Sequence, residues 1–174
     1  MVRSSVRLST VILTKDQLAA IGSLAIESTY CEQWVENLIW FLCKLEEPQG
    51  KQFTQNIQMK SRLELLCNLG KPLLASESEK TEFVSLISQL KEANNDRNTI
   101  IHGSWGTATK NLLTVMREGP ENHSPAIVTK RRPNKPPITM QATDIEKAAV
   151  RIADLTGQLI QFAAHNPSWR KLLS

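Results

Sequence analysis

The 174-residue sequence predicts a mainly α fold: an antiparallel four- or five-helix bundle with a small β-hairpin-like insert before the last helix. Three observations carry this expectation. Apolar residues recur at three- and four-residue steps through most of the chain, the spacing of one helix face. Ser or Thr stands three residues before Glu or Gln ahead of three apolar-periodic runs, the pattern of a helix-starting capping box. Glycine and proline gather in one stretch, where residues 103–137 hold three of the seven glycines and five of the eight prolines. The length fits one domain, 1–174, with the insert at about 107–141.

Taken in order, residues 1–13 carry no clear periodicity, which leaves a frayed arm or a short strand. Thr14 with Gln17 forms the first capping box. From there Ile21, Leu24, Ser28, Cys31, Val35, Leu38 and Leu42 follow one another at alternating steps of three and four, a coiled-coil-like seam. Trp34, Ile39 and Trp40 widen it. This predicts a first helix over roughly residues 15–46, ended by Glu47-Pro48-Gln49-Gly50. A helix this long exceeds what one small bundle face needs, so part of it is expected to meet another chain. A second helix is read from about Gln52 to Leu69, with Gly70 as its C′ residue and Pro72 preventing continuation. Ser76 with Glu79 opens a third helix through Phe83, Leu86, Ile87 and Leu90 toward Ala93. Asn94, Asn95 and Asp96 then oppose helix, because their side chains compete for backbone hydrogen bonds. In the insert, β-type runs appear at Leu112–Met116, Ala126–Thr129 and Ile138–Met140, with a loop around Gly119–Ser124. Thr143 with Glu146 is the third capping box, and Ile145, Ala148, Ala149, Ile152, Leu155, Leu159, Ile160 and Ala163 carry the last helix to His165-Asn166-Pro167.

Composition narrows the functional classes. No apolar run approaches the roughly 20 residues of a membrane span. Val11-Ile12-Leu13 is too short for a signal-peptide core, so no membrane role and a cytoplasmic location are expected. Cys31, Cys43 and Cys67 are never closer than 12 positions. They show no zinc spacing and read as reduced core thiols. No Asp-x-Asp or Glu/His ligand set is present, so no metal and no cofactor are expected. The net charge of +4 is unevenly spread. Residues 107–137 hold six basic and two acidic side chains, against 11 basic and 12 acidic in residues 1–106. A locally met anionic partner is expected.

The sharpest pattern is Arg97-Asn98-Thr99-Ile100-Ile101-His102 at the end of an amphipathic helical run. A polar interruption in a strongly periodic helix is a local conflict of the kind found at functional sites. Cleaving RNA through its own 2′-hydroxyl needs a proton-transfer group working near neutral pH, which histidine supplies. It also needs a cation for the charge developing on phosphate, which the planar arginine fork supplies. Five steps of an unbroken helix place Arg97 and His102 about 140° apart and about 7.5 Å along the axis. The expectation is therefore a break near Ile101, or a site shared between two chains. The bland alternative makes Arg97 a surface ion-pair residue and His102 a cap at the negative helix end.

This motif resembles that of the HEPN superfamily, helical-bundle domains of many prokaryotic RNases and toxins. There the catalytic signature is Arg, four to six residues, then His, with Asn, Asp or His commonly following the Arg; Arg97, Asn98 and His102 match it position by position. The helix layout matches as well, whereas Gly103-Ser104-Trp105 stands where the toxin branch often carries Tyr. The resemblance implies a metal-independent endoribonuclease acting as a homodimer, in a bacterial defence or toxin–antitoxin setting, with an antitoxin protein as a possible partner. Arg97 would stabilise the phosphate, His102 would transfer the proton and Asn98 would orient one of them. The superfamily also holds non-catalytic members, so the alternative is a module binding a nucleotide, RNA or a protein. Outside the motif, Lys130, Arg131, Arg132 and Lys135 read as RNA-phosphate contacts or as a charged edge that resists aggregation. Trp105 reads as a base-stacking platform or a core plug. His123 and His165 receive no role.

Overall fold

The structure, a computed structural model, describes residues 13–107, 125–128 and 138–170. It is mainly helical. The helices are α1 (Lys15–Cys43), α2 (Glu47–Thr54), α3 (Met59–Gly70), α4 (Glu77–His102), α5 (Ala142–His165) and α6 (Pro167–Arg170), with a 3₁₀ turn at Lys71–Leu73. Strands β1 (Ser104–Thr107), β2 (Pro125–Val128) and β3 (Ile138–Thr139) form one antiparallel sheet in the order β1-β2-β3. Ser104 pairs with Val128, Thr107 with Pro125 and Ile127 with Ile138. β1 lies earlier than any strand read from the sequence. Most of the expected hairpin-like insert, including Leu112–Met116 and the Gly119–Ser124 loop, lies outside the described residues. Among the described residues no helix is long and apolar enough to cross a membrane.

The contacts divide the chain into two compact units. The first takes residues 1–25 and 96–149. Here the first capping box forms as read: Gln17 N–H donates to Thr14 Oγ1 at 3.1 Å, and Thr14 N–H donates to Gln17 Oε1 at 2.9 Å. Gln17 is buried because it does a second job, donating from Nε2 to the Met140 carbonyl at 3.0 Å. Among the described residues of this unit, Leu24, Ile100 and Ile145 are the large side chains that are fully buried. The third capping box is displaced from its expected place. α5 starts at Ala142, and it is Asp144 that accepts from the Gln141 N–H at 3.0 Å. Asp144 sits in the first turn, where a carboxylate satisfies a free amide and meets the positive helix end, which leaves Thr143 inside the helix.

The second unit takes residues 26–95 and 150–174. α1 ends three residues before its expected terminus. Lys44 adopts φ 55°, and the Lys44 and Leu45 amides return to the Phe41 and Trp40 carbonyls. That is the Schellman arrangement, with lysine where glycine is usual. The Glu47–Gly50 stretch is helix α2 rather than only a stop, because Pro48 lies in the first turn, where no amide hydrogen is needed. Gly50 lets α2 approach Trp40: a Cβ at that position would lie 2.4 Å from the indole. Trp40 Nε1 also donates to Thr54 Oγ1 at 3.1 Å. The expected helix from Gln52 to Leu69 is thus two helices. The Thr54 carbonyl accepts from Ile57 and from Arg62 Nη2 at 3.0 Å, in place of continuing the helical ladder. Arg62 also pairs with Glu36 at 2.9 Å, tying α3 to α1.

Gly70 is not a left-handed cap. It keeps right-handed backbone with φ −80° and gives up its Cβ to Trp169, whose ring would lie 2.5 Å from one. Trp169 meets Phe83 and Phe162 edge-on at 5.2 and 5.7 Å between ring centroids. Asn166 caps the short α6: its Oδ1 accepts from Ser168 and Trp169, and its Nδ2 donates to Glu79 at 2.8 Å. The seam residues Ser28, Cys31, Val35 and Leu38 are buried within the chain itself. The large apolar side chains that α1 leaves exposed are Leu18, Ile26 and Tyr30, on a different stripe.

Candidate functional site

The candidate site lies on the last turns of α4. The helix runs unbroken from Glu77 to His102, so of the two expected alternatives, a break near Ile101 or a site shared between two chains, the break does not occur. Energetics explain why. Asn94, Asn95 and Asp96 each cost up to about 0.7 kcal/mol relative to alanine in a helix. Burying an isoleucine contributes about 1.5–3 kcal/mol. Ile100 is 1% exposed and Ala93, two turns earlier on the same face, is 2% exposed. Continuing the helix past the polar run carries Ile100 into the core, and its burial offsets the cost.

Arg97, Asn98 and His102 come together within one chain. Arg97 Nη1 donates to Asn98 Oδ1 at 3.0 Å and lies 3.3 Å from His102 Nε2. A guanidinium has only hydrogens to offer, so the imidazole nitrogen is the acceptor. The angular separation expected from helical rotation describes where the side chains leave the backbone. It does not limit where the long arginine arm ends, and the guanidinium reaches the ring. Arg97 and Asn98 are half-buried and His102 is exposed. The site therefore offers a partly shielded cation beside a solvent-facing imidazole, at a helix terminus whose dipole favours positive charge.

Lys130, Arg131, Arg132, Lys135 and His123 lie outside the described residues. Trp105 pairs through its backbone with Ile127 in the sheet. His165 turns back on its own helix, with Nδ1 2.9 Å from the Gln161 carbonyl. It lies in an open cleft of about 500 Å³ in the second unit, together with Glu79, Glu82, Gln158 and Phe162; Arg97, Asn98 and His102 do not line this cleft.

The three cysteines are free thiols. Burial pushes the Cys31 thiol up, only partly opposed by its hydrogen bond with Thr156, and burial also raises Cys43. Both shifts lead away from the thiolate that a nucleophilic cysteine needs. Among the described residues no three His, Cys, Asp or Glu side chains group as a metal site. The contact sequence reasoning missed is the direct Arg97–His102 bond; the length of the arginine side chain was the signal that could have found it. No protein-family model, curated protein or solved structure matches the chain.

Proposed function

We propose that this protein is a metal-independent endoribonuclease of HEPN type. The observation that carries the reading is the pairing of Arg97 Nη1 with His102 Nε2 at 3.3 Å. It brings a cation suited to phosphate and a group suited to proton transfer to one point, with Asn98 Oδ1 accepting from the same guanidinium nitrogen. In the reaction, Arg97 binds a non-bridging phosphate oxygen and stabilises the charge that grows there. His102 takes the proton of the 2′-hydroxyl or delivers one to the leaving 5′-oxygen. Attack by the neighbouring hydroxyl forms the new P–O bond as the 5′ bond breaks, leaving a 2′,3′-cyclic phosphate.

The same reading takes the chain to be an antiparallel helical bundle that works as a homodimer in the cytoplasm, in a bacterial defence or toxin–antitoxin setting. RNA is the substrate, and an antitoxin protein is a partner. What supports a homodimer is the exposed apolar stripe on α1, where Ile26 is 69% and Tyr30 is 48% exposed four residues apart. Residues four apart share one helix face, which gives a second copy of the chain an apolar ridge to pack on. Since Arg97 and His102 already meet within one chain, the dimer would carry two complete pairs.

The test is incubation of the purified protein with a varied panel of single-stranded RNAs in the presence of EDTA. The expected result is cleavage to products with 2′,3′-cyclic phosphate ends and no cleavage of DNA, which lacks the attacking hydroxyl. An intact panel would favour the other function read from the sequence, a non-catalytic module that binds a nucleotide, RNA or a protein.

A further inference from the structure

Arg97 Nη1 carries two hydrogens, and both are engaged on the motif's own residues. One faces Asn98 Oδ1 at 3.0 Å and the other His102 Nε2 at 3.3 Å. Because arginine is always charged and never accepts a hydrogen bond, His102 must present a lone pair at Nε2. A neutral imidazole has one ring proton, so that proton sits on Nδ1. Two consequences follow. The nitrogen placed to accept a substrate proton is already occupied, and it is occupied by the group that would bind the substrate's phosphate.

We propose that Arg97, Asn98 and His102 form a resting latch that a phosphate oxyanion opens. This rests on the ribonuclease reading for its biological meaning, though not for its geometry. A phosphate oxygen carries full opposite charge, and a phosphate can meet the guanidinium fork with two oxygens at once, so it outcompetes the neutral ring for the guanidinium. Transfer of Arg97 to phosphate uncovers Nε2. The released ring can hold its proton on either nitrogen, so the anion site is filled and the imidazole is freed to exchange protons in the same event, and only when a phosphate has docked. Asn98 is a positioning residue: by holding one Nη1 hydrogen, it aims the other at His102.

Nitrogen–proton correlation spectra of the imidazoles, recorded on the intact chain at about pH 8, above the ordinary histidine range near 6.5, test the latch. His102→Gln identifies the His102 signals. His165 is an internal reference, because its Nδ1 faces the Gln161 carbonyl at 2.9 Å and should keep its proton there throughout. The expected result is Nδ1–H as the dominant His102 form in the wild type. Saturating titration with inorganic phosphate should make it the minor form, as should a single-stranded DNA oligonucleotide, whose phosphates cannot be attacked from a 2′ position. In Arg97→Ala the Nδ1–H form should be minor from the outset and indifferent to phosphate. Asn98→Ala should show an intermediate population, which keeps the test open if Arg97→Ala fails to fold. A wild-type His102 that carries its proton on Nε2, or one that ignores both anions, overturns the proposal. The two readings fail separately: an intact latch in a protein that cuts no RNA removes the ribonuclease, and an Nε2–H ring in a protein that cuts RNA removes the latch.

Discussion

At the residue scale, chemistry was more legible than geometry. Arg97, Asn98 and His102 stood out by type and order, because few side chains can manage phosphate charge and a proton near neutral pH. Their contact was hidden, since sequence spacing fixes where side chains leave a helix and says little about where a flexible arginine ends. Glycine showed the same limit. Gly50 read as part of a stop and Gly70 as a cap, yet both serve close approach, against Trp40 and against Trp169 with Phe83. Only the folded partner reveals such a need. Gly157 in α5 makes a contrast, with open space around its missing Cβ. Gly157→Ala should stabilise the protein by about 0.5–1 kcal/mol, the usual gain in a helix interior. Gly50→Ala should destabilise it by about 1–3 kcal/mol through overpacking. Urea unfolding of the two variants checks both signs, and a Gly50→Ala midpoint at or above wild type would contradict the packing described for Trp40.

At the element scale, helix starts were readable where the cap is local. Thr14 with Gln17 and Ser76 with Glu79 both close their boxes. The start of α5 was misplaced because Asp144 reaches back to the Gln141 amide, the role the expected box gave to Glu146, and so sets the helix cap two residues before Thr143. The split between α2 and α3 was not legible, since it depends on Arg62 reaching the Thr54 carbonyl from eight positions away. The Ser76–Glu79 box also ties α4 to α6 through Asn166. Hydrogen bonds from the Ser76 backbone and hydroxyl, and to a lesser degree from Asn166, hold the Glu79 carboxyl below its ordinary range. A carboxyl depressed on folding contributes stability above its unfolded pKa, and loses it as pH falls through the folded value. Acidification from pH 6 through the ordinary carboxylate range, about 4, should therefore destabilise wild type more than Glu79→Gln. Parallel slopes for the two proteins across that window would contradict the role given to this cap.

At the scale of the whole molecule, the mainly helical character was plain in the three- and four-residue periodicity, and the burial of Leu24, Cys31, Val35 and Leu38 follows it. Assembly was read from that same seam, but the seam is consumed inside the chain, and the homodimer proposal rests instead on exposed Ile26 and Tyr30. Light scattering at micromolar concentration should return the mass of a dimer, and Ile26→Asp should shift it to that of a monomer; a wild-type monomer would contradict the homodimer. Under the ribonuclease proposal, the basic segment would grip the substrate. Replacing Lys130, Arg131 and Arg132 with Gln should weaken RNA binding and flatten its log–log salt dependence by about 2, since each lost phosphate contact on a single strand removes about 0.7 from the slope. An unchanged slope would make the segment a solvated edge. The central claim is that the Arg97–His102 pair cuts RNA, and the most direct measurement is the EDTA-resistant cleavage rate of wild type beside His102→Ala and Arg97→Ala, with helical content checked by circular dichroism. Each variant is expected to keep its helices and lose about 10²–10⁴-fold in rate. Cleavage surviving at the wild-type rate in both folded variants would contradict the claim.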